Sequence, residues 1–193
     1  LIDTAVTDDA FQYLRGKHID LIVSTHYHVD HNLHNNHFPQ AKIMVHEADF
    51  PYLGSRERFI STLGSQYVGE DLSRYLKVDQ LGYEFREPDE TMSDGTIIDL
   101  GHTRLEVLHL PGHTAGHCGF LFPDLGLVFS SDIDLDRFGP WYGNAACNLN
   151  DFIDSVDRVI NLKPEMLITS HASGPITSNI QARLTRYRDE FYR

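Results

Sequence analysis

No stretch of this chain approaches the roughly 18 consecutive apolar residues that a membrane-spanning helix needs, so a helical bilayer span is excluded. Positive charge is scarce: 16 Lys and Arg stand against 28 Asp and Glu, a formal net charge of -12. That balance opposes unassisted binding to nucleic acid or any other polyanion. Cysteine is rarer still. Its two copies, Cys118 and Cys147, form neither a Cys-x-x-Cys motif nor a framework of bridges. A reducing compartment, the cytoplasm, is therefore the expected setting, and ordinary thiols the expected chemistry. Repeats and low-complexity linkers are also missing, and 193 residues suffice for a single domain with a sizeable core.

What the chain has in excess is histidine, with 12 copies; imidazole is the commonest protein metal ligand and the side chain best suited to proton chemistry near neutral pH. Placement decides between those roles. Leu1-Ile2-Asp3-Thr4-Ala5 reads as the end of a buried strand, with further residues expected upstream. The spacing of Ala10, Phe11 and Leu14 predicts a helix from about Asp8 to Lys17, and Ile19 to Val23 reads as a buried strand aimed at His26. A short helix after His31, a strand at Lys42 to Val45 and a helical stretch from Glu47 to about Lys77, broken at Gly54, Gly64 and Gly69, follow.

From Thr96 the pattern turns to strands: Thr96 to Leu100, Arg104 to Leu110, Gly119 to Phe122 and Gly126 to Ser130. A helix capped at Asn148 or Asn150 and stopped before Pro164, a strand at Met166 to Thr169 and a helix from about Ile176 to Phe191 close the chain. Strands alternating with covering helices predict one layered α/β domain over residues 1–193, with a helical, aromatic insert at about 47–94.

His26-Tyr27-His28-Val29-Asp30-His31 puts four potential ligands into six residues directly after a buried strand. Alternation sets His26 and His28 on one side of an extended segment, while Asp30 and His31 follow where the chain turns into a helix. That pattern suits two adjacent ions better than one. Further along stand His113 in Pro-Gly-His-Thr-Ala-Gly-His, Asp132 in Phe-Ser-Ser-Asp and His171 in Thr-Ser-His, with Asp3 in Leu-Ile-Asp-Thr at the start. Asp134 and Asp136 compete with Asp132 for its place. Neutral imidazoles and carboxylates suit Zn²⁺ first and also Fe or Mn, and no thiolate is required.

These five signposts, in this order, resemble the metallo-β-lactamase superfamily, and nearly the whole chain takes part. The resemblance implies a four-layer αββα sandwich with a metal site at one edge of two sheets, its usual first strands lying before Leu1. It implies that His26, His28 and His113 hold one divalent ion, that Asp30, His31 and His171 hold a second, and that Asp132 and a water bridge both. Asp3 would support the ligand loop and His117 would orient the site. Two such cations activate water and polarise a carbonyl. The implied activity is therefore hydrolysis of a thioester, lactone or similar small ester, with Asp30 also reprotonating the leaving group.

The ligand set resembles hydroxyacylglutathione hydrolases and N-acyl homoserine lactonases alike. No separate helical region of the kind that holds glutathione is recognised after His171, which argues against that substrate. The alternative from another class is a mononuclear iron oxygenase resembling persulfide dioxygenases, with iron at His26, His28, His113 and Asp132. Asp132 where many true lactamases carry cysteine disfavours β-lactams, and His28 in place of glutamate disfavours flavodiiron oxidoreductases. The acidic balance disfavours a nuclease.

The insert at 47–94 holds 11 acidic and 5 basic residues and the aromatics Phe50, Tyr52, Phe59, Tyr67, Tyr75, Tyr83 and Phe85. It could cap the site, pack upon itself or contact a second copy in a homodimer. Trp141 and Tyr142 in Phe138-Gly139-Pro140-Trp141-Tyr142-Gly143 are candidate substrate contacts. The expected partner is a small-molecule substrate, with no nucleic acid and no membrane. His34 and His37 fall at helical spacing from His31 and are expected to be solvated or supporting; His18, His46, His102 and His109 have no spacing that demands chemistry.

Overall fold

The computed structural model describes residues 1–72, 78–135, 138–172 and 174–193; Tyr75 and Asp136 lie outside the described residues. The chain divides into two compact units, Leu1–Met92 with Asn144–Ala146, and Ser93–Gly143 with Cys147–Arg193. Each has its own sheet and its own apolar core.

In the first unit, helix α1 (Asp8–Leu14) precedes strand β1 (Leu21–Val23), whose neighbours are β2 (Lys42–His46) and β3 (Glu90–Met92). The order is β1-β2-β3 and both pairings are parallel. Ile22, Ile43 and Val45 are fully buried, as the apolar runs require when a parallel strand is covered on both faces. Leu1 and Asp3 hydrogen-bond to Val23 beside the end of β1, so the expected strand end is there, shortened to a single bridge at Ile2. The short α2 (Val29–Asn32) begins at the candidate ligands themselves.

Among its described residues the insert forms the short helices α3 (Phe50–Leu53), α4 (Arg56–Ser61) and α5 (Ser65–Val68) and a 3-10 turn at Val78–Leu81. Gly54 and Gly69 follow α3 and α5, and Gly64 precedes α5, at the breaks expected from the sequence. β3, which the sequence does not announce, pairs beyond them. Leu53 and the aromatics Phe59 and Tyr83 turn inward and help build the unit's own core, whereas Tyr67 stays exposed.

The second unit is a five-stranded mixed sheet, β4 (Ile97–Asp99), β5 (Arg104–His109), β6 (Cys118–Phe122), β7 (Leu127–Phe129) and β8 (Met166–Ile168), in that spatial order. The first four are antiparallel neighbours; β7 and β8 are parallel and need a crossover, supplied by α6 (Leu149–Leu162). Asn148 caps α6, its Oδ1 accepting from the N–H groups of Asn150 and Asp151. Phe152, Val156 and Val159 recur on one face and are fully buried. The helix ends at Leu162, where Lys163 turns left-handed before Pro164. α7 (Ile180–Asp189) starts later than its periodicity predicts because Ile176 pairs with Leu167 instead. Among the described residues no helix is long and apolar enough to cross a membrane.

Candidate metal centre

Each unit carries one cluster of the predicted ligands. In the first, the chain leaves β1 and runs through Ser24 and Thr25, both fully buried, into His26. Asn32 holds the turn together: its amide donates to the carbonyls of both His26 and His28 at 2.8 Å and accepts from the Ser24 hydroxyl at 2.7 Å. Asp3 anchors the same turn. Its Oδ1 accepts from the Thr25 N–H at 2.8 Å, and its Oδ2 accepts from the Thr25 hydroxyl at 2.9 Å and from His31 Nδ1 at 2.8 Å. Asp3 keeps this position at a left-handed φ of 51°, a local strain that the three bonds outweigh.

The network decides where the imidazole protons lie. Thr25 Oγ1 donates to Asp3, so at 2.9 Å it accepts from His26 Nδ1, and the His26 Nε2 lone pair is turned to His28 Nδ1 at 3.0 Å. The other nitrogen of His28 is held by the Asn144 amide at 2.8 Å. His31, 2% exposed, must carry its proton on Nδ1 to serve Asp3, which leaves Nε2 as a lone-pair donor, 4.0 Å from the largely exposed Asp30 carboxylate.

In the second unit, a hairpin loop between β5 and β6 presents His113. Gly112 makes this possible: its φ is +126°, and a Cβ there would stand 2.2 Å from the Phe152 nitrogen, a space only glycine can fill. His113 Nδ1 donates to the Trp141 carbonyl at 3.0 Å, so its Nε2 lone pair faces Asp132 Oδ2 at 3.2 Å. The other Asp132 oxygen, Oδ1, lies 3.6 Å from His171 Nε2. His117 is fully buried and spent: Nδ1 donates to the Leu110 carbonyl and Nε2 accepts from the Asp132 N–H. It positions Asp132 and has no nitrogen left for an ion. Asp134 joins this cluster, offering an oxygen within 4.8 Å of ligand atoms of Asp132 and His171 and accepting from the His171 N–H at 3.3 Å.

This donor set fits a divalent cation. With Nδ1 donating to the Trp141 carbonyl, a lone pair on Nε2 aimed at a carboxylate oxygen 3.2 Å away is repulsive unless a cation lies between them. The spacings of His26 with His28, 3.0 Å, and of His113 with Asp132, 3.2 Å, fall a few tenths of an ångström short of the ~3.4 Å that separates two donors sharing a tetrahedral ion at about 2.1 Å.

His34 and His37 pack on Phe11 of α1, the former stacked at 3.9 Å; burial and the neighbouring His37 hold the His34 imidazole below its usual 6.5, against the pull of Asp8. Trp141 lies beside His113, ring centres 5.4 Å apart, whereas Tyr142 stacks on Phe191. Cys118 is buried in β6, and the Cys147 thiol donates to the His113 carbonyl. Asn32, Asn144 and Thr25 are not singled out by the sequence. Only Asn32, inside the motif's own helix, carries a signal that could have drawn notice.

Residues 1–171 match the family described as the Metallo-beta-lactamase superfamily. The acyl-coenzyme A thioesterase MBLAC2 of Homo sapiens is 26% identical over 174 residues, 89% of this chain and 61% of that protein. A hydroxyacylglutathione hydrolase of Mesorhizobium japonicum is 30% identical over 112 residues, 58% of this chain and 32% of that protein. The chain thus spans less than two thirds of the length of these curated relatives. Among solved structures, the metallo-beta-lactamase family protein TTHA1429 of Thermus thermophilus superposes with a TM-score of 0.80 at 23% identity, over 99% of this chain and 70% of that one. With a mixed α/β architecture, a matched span that runs from Leu1 to His171 and imidazole–carboxylate clusters at the motif positions, this chain belongs to the metallo-β-lactamase superfamily.

Proposed function

We propose that the chain is a metal-dependent hydrolase of thioesters and that its two ligand clusters serve one dinuclear centre. His26, His28 and His113 would hold one ion and Asp30, His31 and His171 the other, with Asp132 shared. The observation that carries this reading is Asp132 itself: its two oxygens face two different imidazoles, His113 at 3.2 Å and His171 at 3.6 Å, the disposition expected of a carboxylate shared between ions. Zinc is the first choice for such nitrogen and oxygen donors, with iron and manganese next.

Bound there, a pair of divalent ions supplies a water of lowered pKa and a Lewis acid for the acyl oxygen. The protein's part is to hold the donors deprotonated and aimed. The Trp141 carbonyl does this for His113, Asp3 for His31, and Thr25 for His26; His117 fixes the backbone beneath Asp132. In the overall reaction water adds to the acyl carbon, the C–S bond breaks, and the leaving thiolate takes up a proton. Asp30, the most exposed of the proposed ligands on the first unit, with 64% of its side chain in solvent, can return that proton while His31 holds its ring.

The thioester is preferred because both of the curated relatives described above are named for thioester substrates, acyl-coenzyme A and hydroxyacylglutathione. The test is a panel of acyl-coenzyme A, acyl-glutathione and N-acyl homoserine lactone substrates, run with and without chelator. Chelator-sensitive cleavage of a thioester supports the reading. Turnover of lactones alone would move the substrate class, and oxygen consumption with a persulfide in place of hydrolysis would replace the reading with the iron oxygenase.

A further inference from the structure

The loop 138–143 presents three aromatic residues to solvent within five positions: Phe138 at 78%, Trp141 at 40% and Tyr142 at 48% exposure. Exposed apolar side chains in isolation are ordinary, but an exposed indole packed beside a ligand cluster is a contact surface. Phe138-Gly139-Pro140-Trp141-Tyr142-Gly143 contains no charged residue, so nothing in it selects for a phosphate or carboxylate.

The loop is fastened to a proposed metal ligand. The Trp141 carbonyl accepts the Nδ1 proton of His113 at 3.0 Å, and the indole tilts over the same ring with centres 5.4 Å apart. Gly143 closes under the indole: a Cβ there would meet Trp141 Cζ2 at 3.0 Å and Cε2 at 3.2 Å. Tyr142 is held from the other side by Phe191, ring centres 6.2 Å apart. One residue therefore sets the tautomer of His113 through its main chain and offers an apolar face next to it through its side chain.

We infer that Trp141 is a specificity-determining residue that receives the apolar acyl chain of the substrate. The inference rests on the hydrolase reading for the reacting group, and on the aromatic loop for the chain-length preference. A long acyl chain covers the indole and drives out its water; an acetyl group does not reach far enough to do so. Each methylene buried there strengthens binding by up to about fourfold.

Trp141 is the only tryptophan in the chain, so its emission reports on this surface without any turnover. The experiment titrates the full chain, metal-loaded and metal-free, with uncleavable S-butyl, S-hexyl and S-decyl thioethers of N-acetylcysteamine. The expected result is a saturable blue shift of the emission, at concentrations that fall steeply from butyl to decyl. In parallel, Trp141→Ala should erase most of the decanoyl-over-butanoyl preference in kcat/KM, mainly through KM. Trp141→Phe should restore it, and metal content should be that of the unaltered chain because the main-chain carbonyl remains. Emission unmoved by every chain length, in a protein that cleaves decanoyl thioesters, would overturn the inference and leave the hydrolase reading standing. A chain-length-dependent blue shift in a protein that cleaves no thioester would support the apolar subsite and remove the hydrolase reading.

Discussion

Asp3→Asn changes one atom type and tests the logic of the first cluster. Asparagine tolerates the left-handed backbone that Asp3 adopts at φ 51°, so the backbone is not the variable. Its amide oxygen can still accept from the Thr25 N–H, in place of Oδ1. The NH2 group, however, replaces Oδ2, which now accepts from the Thr25 hydroxyl at 2.9 Å and His31 Nδ1 at 2.8 Å, and two donors then meet a third. The hydroxyl can rotate. The imidazole can relieve the clash only by moving its proton to Nε2, the atom assigned to the metal.

Two charge-assisted bonds at about 1.5–3 kcal/mol each are at stake, of which the rotated hydroxyl and switched tautomer recover part; a net stability loss of about 1–3 kcal/mol follows. Loss of a partner that orients a ligating histidine weakens metal binding about 10- to 100-fold. Urea unfolding gives the first quantity and competition against a chelator gives the second. Nitrogen-15 spectra of the metal-free imidazoles show which nitrogen of His31 carries the proton. An Asp3→Asn protein that binds metal as tightly as the unaltered chain, with His31 still protonated on Nδ1, would refute the reasoning.

His117→Leu leaves the Leu110 carbonyl and the Asp132 N–H unsatisfied in the interior; unfolding free energy should fall by about 2–5 kcal/mol, with His117→Asn recovering part of it by donating to Leu110. Gly112→Ala puts a methyl group 2.2 Å from the Phe152 nitrogen, and should cost at least about 3 kcal/mol or prevent folding, read by circular dichroism and thermal melting. Burial alone would raise the Asp94 carboxyl, but its bonds to the Arg158 guanidinium and the His109 N–H outweigh that and hold it below the usual 3.8. Because the folded-state value is the lower one, this contribution is present above about pH 4 and lost as the pH falls through the folded-state value. Asp94→Asn should then cost about 0.5 kcal/mol at pH 7, the carboxylate being half exposed, and progressively less as the pH falls below about 4; a pH-independent difference in urea midpoints would contradict it.

Much of this fold is legible in local pattern. β5 and α6 are found because alternation at Leu105 and Val107, and the spacing of Phe152, Val156 and Val159, each write one buried face into the sequence. The six residues from His26 to His31 are found because four donors in one turn have few other uses. β3 is not found: Glu90-Thr91-Met92 has no apolar alternation, and its pairing beside β2 is helped by Asp89, which both donates its N–H to the Ile43 carbonyl and accepts from the Ile43 N–H through its side chain. The start of α7 is misplaced because Ile176 is buried by pairing with Leu167, which periodicity cannot distinguish from burial on a helix. Asn144 reaches His28 across 116 residues of chain, and no local pattern encodes a contact of that span. In the sequence Asp134 is only a rival to Asp132; three dimensions place it beside Asp132 and His171 as a companion.

The measurement that bears most directly on the proposed centre is the number of metal ions per chain. Protein purified without added metal, and again after reconstitution with zinc, iron or manganese, is analysed by inductively coupled plasma mass spectrometry beside Asp132→Ala. About two ions per chain are expected, with a marked loss in the variant, since one carboxylate would serve both in the proposed centre. A chain that binds no metal after reconstitution, or whose metal content is indifferent to Asp132, would contradict the shared dinuclear centre.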